Sequence, residues 1–211
     1  MSANYDLARD LREAVAMADG FERYVTGTEL YGATGGFFFA STMPSLTVGA
    51  LVMRLRRLHA LSDQLDAQQR QQLAAAQETF DRVRREWQVH FNGKIVKEAL
   101  SRLDAMRTFF GECGKSTAAC AQNYAPEALR RTIVEELRPL IEASGAPAEG
   151  LAEKLRTTDA NLRAVLQPDR FIWSPQLQPV YPQSSYWWLY QRPPQSQTRW
   201  PALPQRSALR R

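Results

Sequence analysis

The stretch Gly111-Glu-Cys-Gly-Lys-Ser-Thr117 is the first pattern in this 211-residue chain to test for chemistry. A glycine-rich loop ending in Gly-Lys-Ser wraps phosphate with successive backbone N–H groups. It needs four residues after its first glycine and a buried strand leading into it. Here two residues intervene, the preceding segment has helical spacing, and no later apolar strand ends in an aspartate suited to magnesium. A glycine turn ending a helix is the better account. Gly32-Ala-Thr-Gly35-Gly36 likewise lacks the strand before and the helix after that a dinucleotide loop requires.

Metal and nucleophile chemistry fare no better. Glu86 and His90 lie one helical turn apart, but a carboxylate-bridged di-iron bundle takes Glu-x-x-His from two helices plus two further carboxylates. The chain has two histidines, and His59 reads as a packed or surface residue. Cys113 and Cys120 lack the companions of a tetrahedral zinc site. Two cysteines also make no disulfide framework, which agrees with a reducing compartment. No serine elbow, Cys-His pair or convergent carboxylate pair is legible, although a triad assembled in space leaves no linear trace. The expectation is a non-enzyme with no catalytic, cofactor-binding or metal-ligating residues.

Binding residues are easier to find. The formal charge of +5 belongs to the C-terminal 45 residues, where Arg170, Arg192, Arg199, Arg206, Arg210 and Arg211 face Asp169 as the one acid. The same stretch holds eight of the twelve prolines and four of the five tryptophans, so it cannot be one helix and is too aromatic for an inert linker. Trp173, Tyr186, Trp187, Trp188, Tyr190, Arg192 and Trp200 suit a protein interface, where Trp, Tyr and Arg dominate binding energy. Alternatively, Trp173, Trp187 and Trp188 pack back onto the chain's own helices. A third use is nucleic acid, with rings stacking on bases and Arg192, Arg199 and Arg206 on phosphates. Arg54, Arg56 and Arg57 would extend that surface, although acids such as Asp63 and Asp66 are available to pair with them. Six arginines without a lysine are sparse for a nucleic-acid arm. Phe37, Phe38 and Phe39 either tuck into the core or form a second docking patch.

Helices must position these residues. Leu7, Leu11, Ala14, Val15, Ala18, Phe21 and Val25 fall three or four apart, which predicts an amphipathic helix over about 4–25, weakened at Gly20. Residues 30–53 carry no formal charge, yet five glycines and prolines among them argue against a membrane span. A helix capped by Ser45 or Thr47 follows, then a capping box at Asp66 and Gln69. From there to Phe110 runs one long helix or two end to end. Its apolar rhythm shifts after Trp87, so the packing partner changes there or the helix unwinds or kinks, and Asn92-Gly93 sits at that point. Glu78, Arg82, Glu86, His90, Lys94, Glu98 and Arg102 recur every fourth residue as helix-supporting pairs. A helix opens at Tyr124-Ala-Pro126 with the face Leu129, Ile133, Leu137 and Ile141, and a last one runs over about 148–166.

The fold expected is all-α: a bundle of about five helices around one long central helix, residues 1–166, with an extended Pro/aromatic tail over 167–211. The function expected is a non-catalytic interaction or scaffold subunit docking a protein partner through the tail and Phe37–Phe39. A nucleic-acid-binding accessory protein is the alternative, and an enzyme with a spatially assembled site the least supported. Homo-oligomers fit this reading too. The acidic N-terminus without an apolar stretch suggests no secretory signal and a cytoplasmic protein.

Overall fold

A computed structural model describes residues 5–34, 44–113 and 117–194; Phe37–Phe39, Arg199, Trp200 and Arg206 lie outside them. The fold is all-α, with seven α-helices among the described residues. Helix α1 (Leu7–Asp19) is capped by the Asp6 side chain, which accepts from Arg9 N–H, and it ends at Gly20. The expected helix over 4–25 is therefore two, because α2 (Phe21–Thr26) restarts directly beyond that glycine. Gly32 and Leu46 then pair in an antiparallel bridge that closes the neck of the uncharged stretch. Thr47 caps α3 (Val48–Ala60) through its hydroxyl.

The capping box at Asp66 and Gln69 is present and starts α4 (Ala67–Glu86). Only its stripe of Leu73, Ala76, Phe80 and Val83 is buried, and it lies against α1 and α2. The long helical stretch breaks at Trp87 (φ −114°, ψ 36°), not at Asn92-Gly93. Gly93 sits inside α5 (Gln88–Cys113) with nothing within 4 Å of where a Cβ would stand, so neither a turn nor a close approach requires it. The rhythm shift has the physical cause expected of it, a change of neighbour: Phe80 and Phe91 flank the break and meet edge to face over Phe21, while α5 beyond it lies along α6 and α7.

Helix α6 (Thr117–Ser144) begins two turns before Tyr124 and contains Pro126 and Pro139. Pro126 is exposed, so the helix carries the missing N–H on its solvent side. Leu129 is also exposed; the buried face is Ala128, Thr132, Ile133, Glu136, Leu137 and Ile141. Gly145 and Gly150 (φ 62° and 73°) turn the chain into α7 (Leu151–Val165). Helix α3 lies at the centre, touching α1, α4, α5 and α6. Among the described residues no helix is long and apolar enough to cross a membrane.

After α7 the chain does not leave the bundle. β1 (Gln167–Pro168) pairs antiparallel with β2 (Gln191–Arg192), closing a loop that contains 3-10 turns at Pro175–Val180 and Trp187–Tyr190. Ile172, Leu177, Val180, Tyr181, Tyr186, Trp188, Leu189 and Tyr190 in this loop belong to the same core cluster as the helices.

Candidate interaction site

Most large rings of the C-terminal loop are held by a named polar group on the helices. Trp188, 1% exposed, donates its indole N–H to Thr132 Oγ1 at 3.0 Å and accepts from the Tyr124 hydroxyl at its carbonyl at 2.7 Å. Arg131 lies over its ring at 4.0 Å and is itself fixed by Asp159 and Glu135. Tyr186 donates to Glu136 Oε1 at 2.9 Å. Tyr190 donates to the carbonyl of Tyr181, and the Tyr181 oxygen accepts from Arg57 Nε at 2.7 Å. Aromatic rings can be buried this way because their polar tips find partners.

The arginines expected to face phosphate are drawn into this system. Arg54 lies between Glu13 (2.6 Å) and Asp10 (3.3 Å) of α1, with all three residues buried. Arg57, also buried, stacks on Trp173 at 4.9 Å and bonds Tyr181. Burial opposes its charge, but Tyr181 and Asp10 outweigh burial and raise its pKa. The half-exposed Arg56 reaches Glu136 at 3.6 Å and the Val180 carbonyl at 3.2 Å, with its guanidinium 5.3 Å from the Tyr186 ring. Arg54 and Arg57 are thus turned inward, and Arg56 lies against the loop.

Burial sets the electrostatics. It pushes the Tyr181 phenol up to about 12 against the pull of Arg57. The Glu136 carboxyl is raised by burial, which Arg56 and the Tyr186 hydrogen bond only partly offset. Glu13 goes the other way: burial would raise it, but Arg54 and Arg9 together bring it below the ordinary value.

The expected docking residues separate accordingly. Tyr186 and Trp188 are buried against the chain's own helices α6 and α3, and Tyr190 is buried on Phe171 and the Tyr181 carbonyl of the loop itself. Trp173, Trp187 and Arg192 are half-buried; Trp187 carries Arg163 over its ring at 4.0 Å, and Arg192 pairs with Asp169 at 3.1 Å. The sequence reading missed Tyr124, Thr132, Glu136 and Arg131. A signal existed: Thr132 and Glu136 are polar, one helical turn apart, and directly beside the apolar Ile133 and Leu137.

Elsewhere the row of alternating charges on α5 does more than support its own helix. Glu98, fully buried, accepts from Gly49 N–H at 2.9 Å and from Arg102, so α5 caps the first turn of α3. Lys94 bonds the Glu29 carbonyl and sits 4.4 Å from the Tyr24 ring centre; burial, then Lys97, lowers its pKa. A cleft of about 700 Å³ opens beside Tyr24, with Asp19, Arg23 and Glu29 among its lining residues. His59 is exposed and meets Gln77 at 3.0 Å, while His90 packs edge-on against Trp87. Among the described residues no group of three His, Cys, Asp or Glu side chains is placed to hold a metal ion. Cys113 and Cys120 are joined in a disulfide, which corrects the expectation that the two cysteines make no disulfide framework. No protein-family model, curated protein or solved structure matches the chain.

Proposed function

We propose that this chain is a non-catalytic helical interaction subunit that presents its C-terminal end to a protein partner. The observation that supports it is the anchoring of residues 167–194. Hydrogen bonds from Tyr124 and to Thr132 and Glu136 fix this segment on the helices. The next 17 residues, with Arg199, Trp200, Arg206, Arg210, Arg211 and no acid, therefore start from a fixed point at Pro194. Half-exposed Trp173, Trp187 and Arg192 are the anchored part of the proposed surface. Trp200 and, on sequence grounds, Phe37–Phe39 complete it. The partner chemistry this suits is an acidic surface with an apolar pocket for Trp200.

The test compares the full chain with one ending at Pro194 and with Trp200→Ala, each cross-linked in extract of the native host. The reading expects a partner cross-linked to residues 195–211 of the full chain and lost from both variants. An unchanged partner set overturns it. With Arg54 and Arg57 turned inward, the nucleic-acid alternative rests on Arg56, Arg192, Arg199 and Arg206. It requires single-strand binding that weakens steeply with salt.

A further inference from the structure

The disulfide stands at a weak point of the bundle. Cys113 is the last residue of α5 and Cys120 lies in the first turn of α6; both are 2% exposed, with Cα atoms 4.7 Å apart. The first N–H groups of a helix have no partner within it, so this end of α6 supports itself least. Pro126 deepens the weakness, because it has no N–H to offer the carbonyl of Gln122. The opening turns of α6 thus have one backbone hydrogen bond fewer to the rest of the helix. The covalent bond ties these turns to the end of α5.

Tyr124 is four residues beyond Cys120 and lies on the same face of α6. Its hydroxyl holds the Trp188 carbonyl at 2.7 Å. We infer that the Cys113–Cys120 disulfide is a redox clasp: closed, it fixes the opening turns of α6 and keeps Tyr124 on Trp188, and reduced, it releases that end and loosens the C-terminal loop. The chemistry is exchange with a dithiol. A thiolate of the dithiol attacks one sulfur and expels the other as thiolate, and the second thiol closes the dithiol's own disulfide. Two electrons pass to Cys113 and Cys120, which take up two protons as thiols; an oxidised disulfide donor runs the step backwards. Burial of both sulfurs makes the exchange wait for that helix end to open.

This inference does not rest on partner docking, since it is read in the isolated chain. The full-length protein is purified without reductant, and its thiols are counted by alkylation after denaturation. No free thiol is expected, and two after treatment with an oxidant would overturn the proposal. Amide hydrogen exchange is then compared with and without dithiothreitol. Residues 117–125 and the loop amides of Asp169, Ile172 and Leu189 are expected to exchange roughly ten-fold faster when reduced, while α1 and α4 are unchanged. Cys113→Ala/Cys120→Ala should match the reduced state and ignore reductant. In Tyr124→Phe the loop should exchange fast already when oxidised, with residues 117–125 still responding. Unchanged loop exchange on reduction, or acceleration throughout the protein, would overturn the local clasp.

Discussion

The hydroxyl of Tyr124 on α6 donates to the backbone carbonyl of Trp188 at 2.7 Å, and both residues are buried. Removing it leaves a buried acceptor without its partner. Tyr124→Phe is expected to cost roughly 1–3 kcal/mol, seen as a lower urea midpoint at unchanged slope. A midpoint equal to that of the parent would mean that this bond does not hold the loop.

Arg54 between Asp10 and Glu13 is the corresponding tie of α1 to α3. Deleting one partner of a buried ion group strands the others, so Arg54→Ala is expected to destabilise by roughly 3–5 kcal/mol. Arg9→Ala, on the exposed side of Glu13, should cost less than about 1 kcal/mol. Thermal melts of the two variants make the comparison, and equal losses would sink the idea that burial decides the difference.

Acid should act through Glu13 and through Glu135 of α6. Burial would raise both Glu13 and Glu135, but Arg54 with Arg9, and Arg138 with Arg131, bring their pKa values below normal. A depressed folded pKa gives stability that is present above the unfolded value of about 4.3 and is lost as pH falls through the folded one. The melting temperature should therefore drop on acidification below about pH 4, and less so in Glu13→Gln. Glu136 is raised by burial, so its contribution has the opposite sign: it is full below the unfolded value and is lost as pH rises through the folded one. Glu136→Gln should consequently flatten the decline between acid and neutral pH. Melts across pH in both variants check the signs.

Gly49 is required by approach rather than by backbone angle. A Cβ there would overlap Ile133 Cγ2 and stand 2.9 Å from Glu98 Oε1 and 3.2 Å from Leu137. Gly49→Ala should destabilise by about 1–3 kcal/mol through overpacking, whereas Gly93→Ala, in open space inside α5, should stabilise by up to about 1 kcal/mol. Opposite signs in one denaturation experiment are the expected outcome.

What the sequence revealed and what it hid divide along local and long-range physics. The caps at Thr47 and at Asp66 with Gln69 are contacts within four residues; the second is legible outright and the first as one of two candidates with Ser45. The rhythm shift after Trp87 is legible, but glycine is the usual mark of a break and points to Asn92-Gly93; the chain breaks at Trp87, with Phe80 and Phe91 packing on Phe21 from its two sides. The start of α6 was read too late because Pro126 fits a first turn equally well. The inward turn of Arg54, Arg57 and Glu98 was out of reach, since their partners lie 41 to 124 residues away. Over the described residues 167–194 the composition rightly excludes an α-helix, but it does not distinguish rings meant for a partner from rings meant for α3 and α6.

Two truncations make that distinction experimentally. Ending the chain at Leu166 removes Tyr181, Tyr186, Trp188, Leu189 and Tyr190 from the core and strips Arg57 and Glu136 of their hydroxyl partners. Losing one buried tryptophan alone costs about 3–5 kcal/mol, against a total stability on the order of 5–15 kcal/mol. The short chain should therefore lose cooperative melting and aggregate. Ending it at Pro194 keeps every one of those contacts, so its melting temperature should stay close to that of the full chain. Circular dichroism melts with size-exclusion chromatography compare the two. A cooperative melt at the parental temperature for the chain ending at Leu166 would show that the loop is a dispensable appendage, and its rings would then be free to serve a partner after all.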